Sequence, residues 1–128
     1  MPMTQTRILY IEDNDDLRDS ITMVLEDEPS YDVTVCTSGE EGLEQLTRTG
    51  CDILITDVGL PGLSGVELAR LALQRNPQQW VVLCSGYDTG GTIASLGPNV
   101  RALTKPFELD DLERMLKDIA GSVRSPGG

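Results

Sequence analysis

Five times along this chain a short apolar run gives way to a stretch of helical periodicity, with no linker between the units. That rhythm constrains the fold more than any other feature. Parallel neighbours need a crossover of helix length, so strand–helix repeats imply a parallel sheet with right-handed crossovers. Strands are expected over residues 7–11, 31–36, 52–56, 80–84 and 100–104. Residues 80–84 are apolar throughout, as a strand covered on both faces should be. Tyr31, Val33 and Val35 instead alternate with Asp32 and Thr34, the pattern of a half-exposed edge strand. With that strand at an edge, the order 2-1-3-4-5 satisfies the pattern. The fold class is a doubly wound, five-stranded α/β sheet of flavodoxin-like type, with its reversal between strands one and three.

The connecting helices carry their own punctuation. The first is expected from residue 14 or 15 to about 27, with Leu17, Ile21, Val24 and Leu25 on one face. Ser38 and Glu41 form a capping box for the second, Leu43 and Leu46 give its apolar face, and Gly50 its stop. Ser64 caps the third, with Glu67 three residues on; Leu68, Leu71 and Ala72 face inward, and Asn76-Pro77 ends it. Residues 88–96 contain Gly90-Gly91, each costing roughly 1 kcal/mol relative to alanine in a helix, so a short or frayed fourth helix is expected there. The last helix starts near Glu108, with Leu109, Leu112, Leu116 and Ile119 on one face. Residues 1–121 then make one domain, followed by a disordered polar tail over 122–128.

Chemistry gathers where the strands end. Glu12-Asp13, Asp57, Ser85 and Lys105-Pro106 each follow an apolar run, and the carboxyl edge of an open parallel sheet is where such folds bind ligands. Singly, each cluster is ordinary: Asp15 and Asp16 read as helix N-terminal charges, and Lys-Pro as a loop before a helix. Together they gather three carboxylates, a hydroxyl and an ammonium in one pocket. Glu12, Asp13 and Asp57 cannot all stay ionised at close range without a counter-charge. A hard divalent cation supplies it, and Mg2+ prefers one or two carboxylates, waters and a phosphate. Asp13 and Asp57 are the expected direct ligands, Glu12 the holder of a bound water, and the Gly59 backbone carbonyl a further ligand. Asp57 is the candidate nucleophile, since carboxylates form aspartyl phosphates. Lys105 and Ser85 are suited to neutralise and bind phosphoryl oxygens.

Composition removes other chemistries. The chain has no histidine, which excludes histidine-based acid–base, triad and metal sites. Its 21 Asp and Glu against 10 Lys and Arg give a net charge of -11, which argues against non-specific binding to nucleic acid or anionic membrane. Cys36, Cys51 and Cys84 lack metal-ligand spacing and read as free buried thiols in a reducing, cytoplasmic compartment. No stretch resembles a signal peptide or a membrane span.

With these pieces assembled, the chain resembles the receiver domain of two-component response regulators over nearly its whole length. The resemblance rests on Ile8 through Asn14, on Asp57 through Gly59-Leu60-Pro61-Gly62 to Leu68, on Leu83 to Asp88, and on Leu103-Thr104-Lys105-Pro106-Phe107. It implies that Asp57 accepts a phosphoryl group from a sensor histidine kinase or histidine phosphotransfer protein. Glu12 and Asp13 would hold Mg2+, and Ser85 and Lys105 would bind the phosphoryl group. It further implies a non-enzyme that catalyses only its own phosphorylation and dephosphorylation, acting through a downstream protein target. One departure stands out: Ala102 occupies the fifth-strand position where the family usually carries Tyr or Phe, so the usual aromatic switch cannot operate as such. Tyr87, two residues after Ser85, is the candidate to cover the pocket instead, and residues 88–98 the candidate for an order–disorder response to phosphorylation.

Other functions on this fold meet obstacles. A flavodoxin-like cofactor protein needs a hydroxyl- and glycine-rich loop after strand one, where Glu12-Asp13-Asn14-Asp15-Asp16 would repel phosphate. An aspartyl-phosphate phosphatase of the haloacid dehalogenase type needs a second acid two residues after the nucleophile, where Gly59 stands. A nucleotide switch needs a glycine-rich loop with lysine, which is missing. No helix has the basic face that direct DNA binding requires.

Overall fold

In the computed structural model, which describes residues 5–86 and 96–124, all strands lie in one parallel sheet. They are β1 (Thr6–Ile11), β2 (Tyr31–Cys36), β3 (Ile53–Asp57), β4 (Trp80–Ser85) and β5 (Val100–Thr104), and their order is β2-β1-β3-β4-β5, as expected. The helices among the described residues are α1 (Asp15–Glu26), α2 (Gly39–Arg48), α3 (Gly65–Arg75) and α4 (Leu109–Arg124). The helix expected over 88–96 falls outside the described residues except for Leu96, which lies in a turn. Tyr87 falls outside them too.

Alternation along the strands divides the core into two layers. On β1, Leu9 and Ile11 enter the layer shared with Leu46 of α2 and Leu68, Ala69 and Ala72 of α3. Ile8 and Tyr10 enter the opposite layer with Ile21 and Leu25 of α1 and Leu112, Leu116 and Ile119 of α4. Burial on both sides is why β3 and β4 read as apolar runs without alternation. Strand β2, with one neighbour, keeps its alternation of half-buried and exposed residues.

The helix ends follow local chemistry. Side-chain oxygens of Asn14, Ser38 and Ser64 accept from Leu17, Glu41 and Glu67 backbone N–H groups. At α2 the expected pair of Ser38 and Glu41 forms, and the Glu41 carboxylate also accepts from the backbone N–H (2.9 Å) and hydroxyl of Thr37, before the cap. These bonds hold Glu41 below the usual carboxylate range. Gly50 ends α2 with φ +71°, the left-handed region that favours glycine.

Four expectations shift. Strand β3 begins at Ile53 and includes Asp57, and β4 includes Ser85, because backbone bonds from Val58 to Cys84 (2.9 Å) and from Lys105 to Ser85 (2.6 Å) prolong the ladder. Leu71 is only half-buried, and Ala69 is buried with Leu68 and Ala72, since the inward stripe of α3 is set by where it crosses the sheet. Helix α4 continues through Arg124, beyond the expected tail boundary at 122. Once nucleated, a helix adds one hydrogen bond per residue ordered, and the single Gly121 does not stop it. The cysteines are free, but Cys51 is half-buried: it stands just before β3 at the open amino edge, with the Gln79 amide 3.8 Å from its sulfur. Among the described residues no helix is long and apolar enough to cross a membrane.

Candidate functional site

Two strand ends bring the acidic residues together. β1 runs into Glu12 and Asp13, and its register beside β3, Ile11 opposite Thr56, brings Asp57 level with them. One carboxylate oxygen from each of Glu12, Asp13 and Asp57 lies within 4.8 Å of the others. Glu12 is 2 % exposed, Asp57 half-buried and Asp13 exposed, so the cluster opens outward through Asp13.

Lys105, just past β5, answers part of this charge. Its Nζ lies 2.6 Å from Asp57 Oδ1 and 3.6 Å from Glu12 Oε1. Burial alone would lower the lysine pKa, yet the hydrogen bond to Asp57 and the charges of Glu12 and Asp57 outweigh it and hold the ammonium above its ordinary value. Burial raises the pKa of Glu12 against the Asn14 N–H and Lys105, and the Asp57 and Asp13 charges add to the rise. One ammonium among three carboxylates leaves an excess of negative charge, and hard oxygen donors at this spacing suit a divalent cation.

Other residues expected at the site lie on the neighbouring strand and in the loop after Asp57. Ser85, buried, closes β4 one residue beyond Cys84, the register partner of Asp57. Burial pushes the Cys84 thiol up to about 12, so it offers no competing thiolate beside Asp57. Gly59 lies close to the acceptor: a Cβ built on it would stand 3.6 Å from Asp57 Oδ2. The Lys105–Pro106 peptide is cis. Ala102 is exposed on β5, opposite Leu83.

The loop after Asp57 is held from both ends. A Cβ on Gly65 would collide with the Asp57 carbonyl, so only glycine lets α3 begin against the acceptor's own backbone. The Leu63 N–H donates to Glu40 Oε2 of α2 (3.1 Å). Arg18, 16 % exposed, donates from α1 to the Glu12 carbonyl (3.0 Å) and pairs with Asp15. Neither Glu40 nor Arg18 is identified by sequence reasoning. For Arg18 a signal exists, its i,i+3 spacing from Asp15; for Glu40, 23 residues from its partner, none does.

A family model for the response regulator receiver domain matches residues 8–117. The chain belongs to that family. This receiver domain is 32% identical over 120 residues to the response regulator receiver protein CpdR of Brucella abortus, covering 86% of this chain and 96% of that protein. It is 34% identical over 128 residues to the transcriptional regulatory protein YkoG of Bacillus subtilis, covering 98% of this chain but 54% of YkoG. The chain thus spans about half the length of that longer relative, and nearly all of CpdR. Among solved structures, a receiver domain protein from Clostridium thermocellum superposes with a TM-score of 0.82 at 25% identity, over 93% of this chain and 97% of that one. The chemotaxis response regulator CheY4 of Vibrio cholerae shares the fold, with a TM-score of 0.80 at 21% identity, over 91% of this chain and 99% of that one. Beside the acidic pocket of this receiver domain, Leu17, Lys105, Pro106, Phe107 and Leu109 line a largely apolar hollow of about 380 Å³.

Proposed function

We propose that this receiver domain is a working phosphoacceptor of a two-component system, with Asp57 as the acceptor. The observation that carries the reading is the 2.6 Å contact of Lys105 with Asp57 inside a triad of carboxylates. An Asp57 carboxylate oxygen attacks the phosphorus of a phosphohistidine. The O–P bond forms, the P–N bond breaks, and the donor imidazole leaves with its electron pair and takes up a proton. Lys105 accompanies the charge on Asp57 and then that on the phosphoryl oxygens, and the Ser85 hydroxyl donates to another of those oxygens. Return to the resting state is hydrolysis of the acyl phosphate by water, so the domain catalyses only its own phosphorylation and dephosphorylation.

The residues fit Mg2+, which Asp13, Asp57 and the Gly59 carbonyl would hold, with Glu12 placed to hold a bound water. When bound, the ion supplies positive charge to the transferring phosphoryl oxygens. The apolar hollow beside the pocket suits the docking of a donor helix from a sensor kinase or phosphotransfer protein. Output passes to a downstream protein by contact. The free thiols suit a cytoplasmic setting.

The test is intact mass after incubation with Mg2+ and acetyl phosphate, with Asp57→Ala alongside. A single phosphoryl adduct on the native chain alone is expected. An adduct on Asp57→Ala moves the acceptor elsewhere, and a native chain that takes neither acetyl phosphate nor beryllofluoride rejects the reading.

A further inference from the structure

Tyr10 stands on β1 two residues before Glu12, which follows the strand; the Glu12 N–H still donates to the Cys36 carbonyl (3.2 Å), so the ladder's two-residue period turns both side chains to the same side of the sheet. It is 1 % exposed and belongs to the core layer that includes Ile55, Cys84 and Leu103. Its hydroxyl has no hydrogen-bond partner among the described residues. A buried hydroxyl left unpaired is costly, and phenylalanine would fill the same space without that cost. The resting structure therefore gives no reason for the oxygen. Burial, and after it the charges of Glu12 and Asp57, push the phenol pKa above its ordinary value. A phenol is protonated at neutral pH in any case, so Tyr10 offers a hydrogen-bond donor.

Glu12 is its complement. Among the described residues its carboxylate accepts a hydrogen bond from the Asn14 backbone N–H (3.1 Å) and faces Lys105 Nζ at 3.6 Å, beyond good hydrogen-bonding distance. Lys105 is committed to Asp57 at 2.6 Å. A phosphoryl group on Asp57 adds negative charge on that side and draws the ammonium further from Glu12. A buried carboxylate that loses its cation needs another donor.

We propose that Tyr10 is a positioning residue for the phosphorylated state: its hydroxyl donates to the Glu12 carboxylate once Lys105 is engaged by the phosphoryl group. Glu12 then keeps its place beside the metal-binding oxygens while its former counter-charge serves the acyl phosphate. The inference rests on the receiver reading above, and it assigns the unpaired oxygen to one state of the cycle.

Beryllofluoride with Mg2+, a phosphoryl mimic, provides the test. Thermal unfolding is followed against beryllofluoride concentration for the native chain and for Tyr10→Phe. The native midpoint is expected to rise with beryllofluoride. Tyr10→Phe is expected to bind the mimic about tenfold more weakly, the loss of one hydrogen bond to a charged group. Its midpoint without the mimic stays level or rises, because only an unpaired oxygen has been removed. Equal affinities overturn the proposal. A lower midpoint for unliganded Tyr10→Phe also overturns it, since the hydroxyl would then serve the resting fold. A native chain that ignores beryllofluoride overturns the receiver reading itself, and the inference with it.

Discussion

Asp52 stands just before β3 and Asp57 ends it, and the difference between their surroundings separates the structural edge of the sheet from the chemical one. At the amino edge the polar groups around Asp52 meet neutral partners. The Asp52 carboxylate accepts from the Arg7 N–H (2.8 Å), and its own N–H donates to the Arg7 carbonyl (2.8 Å). Gln79, buried, donates to the Asp52 and Trp80 carbonyls (3.1 and 3.2 Å), and Arg7 donates to the Thr49 carbonyl (3.0 Å). At the carboxyl edge Asp57 shares its pocket with two further carboxylates and a single ammonium. An acidic residue bonded to backbone donors closes a strand end. One crowded by its own kind holds repulsion in reserve for a cation and a phosphoryl group, at some cost in stability.

Three substitutions test that contrast, beginning with the largest effect. Gly65→Ala drives a methyl group into the Asp57 carbonyl and the Val58 Cα, so the backbone of the acceptor must move. A loss of about 3 kcal/mol in urea unfolding is expected, the upper range for overpacking. Phosphorylation by acetyl phosphate should fall with it. Normal phosphorylation in a destabilised Gly65→Ala would mean that acceptor geometry is independent of the α3 contact.

Gln79→Leu should be nearly as costly to stability, about 2 kcal/mol, because it strips the donor from two part-buried carbonyls. Phosphoryl yield at a temperature where the variant remains folded should match the native chain. A reduced yield would break the separation of the two edges.

The smallest effect is expected at Asp13. Without Mg2+, Asp13→Asn relieves repulsion at a solvent-facing position and should raise stability by roughly 0.5 kcal/mol, screened as it is by water and salt. Added Mg2+ should stabilise the native chain by mass action and Asp13→Asn far less. An equal response to Mg2+ in both would remove Asp13 from the ligand set.

Legibility followed the same division. Strand order was readable because β2 alternates while β3 and β4 do not, a direct imprint of burial on one face or two. Glu12, Asp13, Asp57 and Lys105 were readable because each directly follows an apolar run, and the structure brings their charged atoms together. Glu40 was not, since its partner Leu63 is met only after α2 and the loop beyond β3 pack together. Tyr10 read as a core strand residue, which it is; that its oxygen lacks a partner depends on everything around it. The extension of α4 through Arg124 escaped composition because its polar end suggested a tail.

The sequence by itself determined periodicity, and with it the elements, their exposed faces and the kinds of side chain at each strand end. Those are local properties, written in spacings of two and of three to four residues. Only the tertiary structure decided which of Asp52 and Asp57 would be bonded by backbone and which would be crowded by charge. That choice depends on distances between chain segments far apart in sequence. They are set by strand register, by the bare Cα of Gly65 against Asp57, and by the reach of Lys105 across from β5.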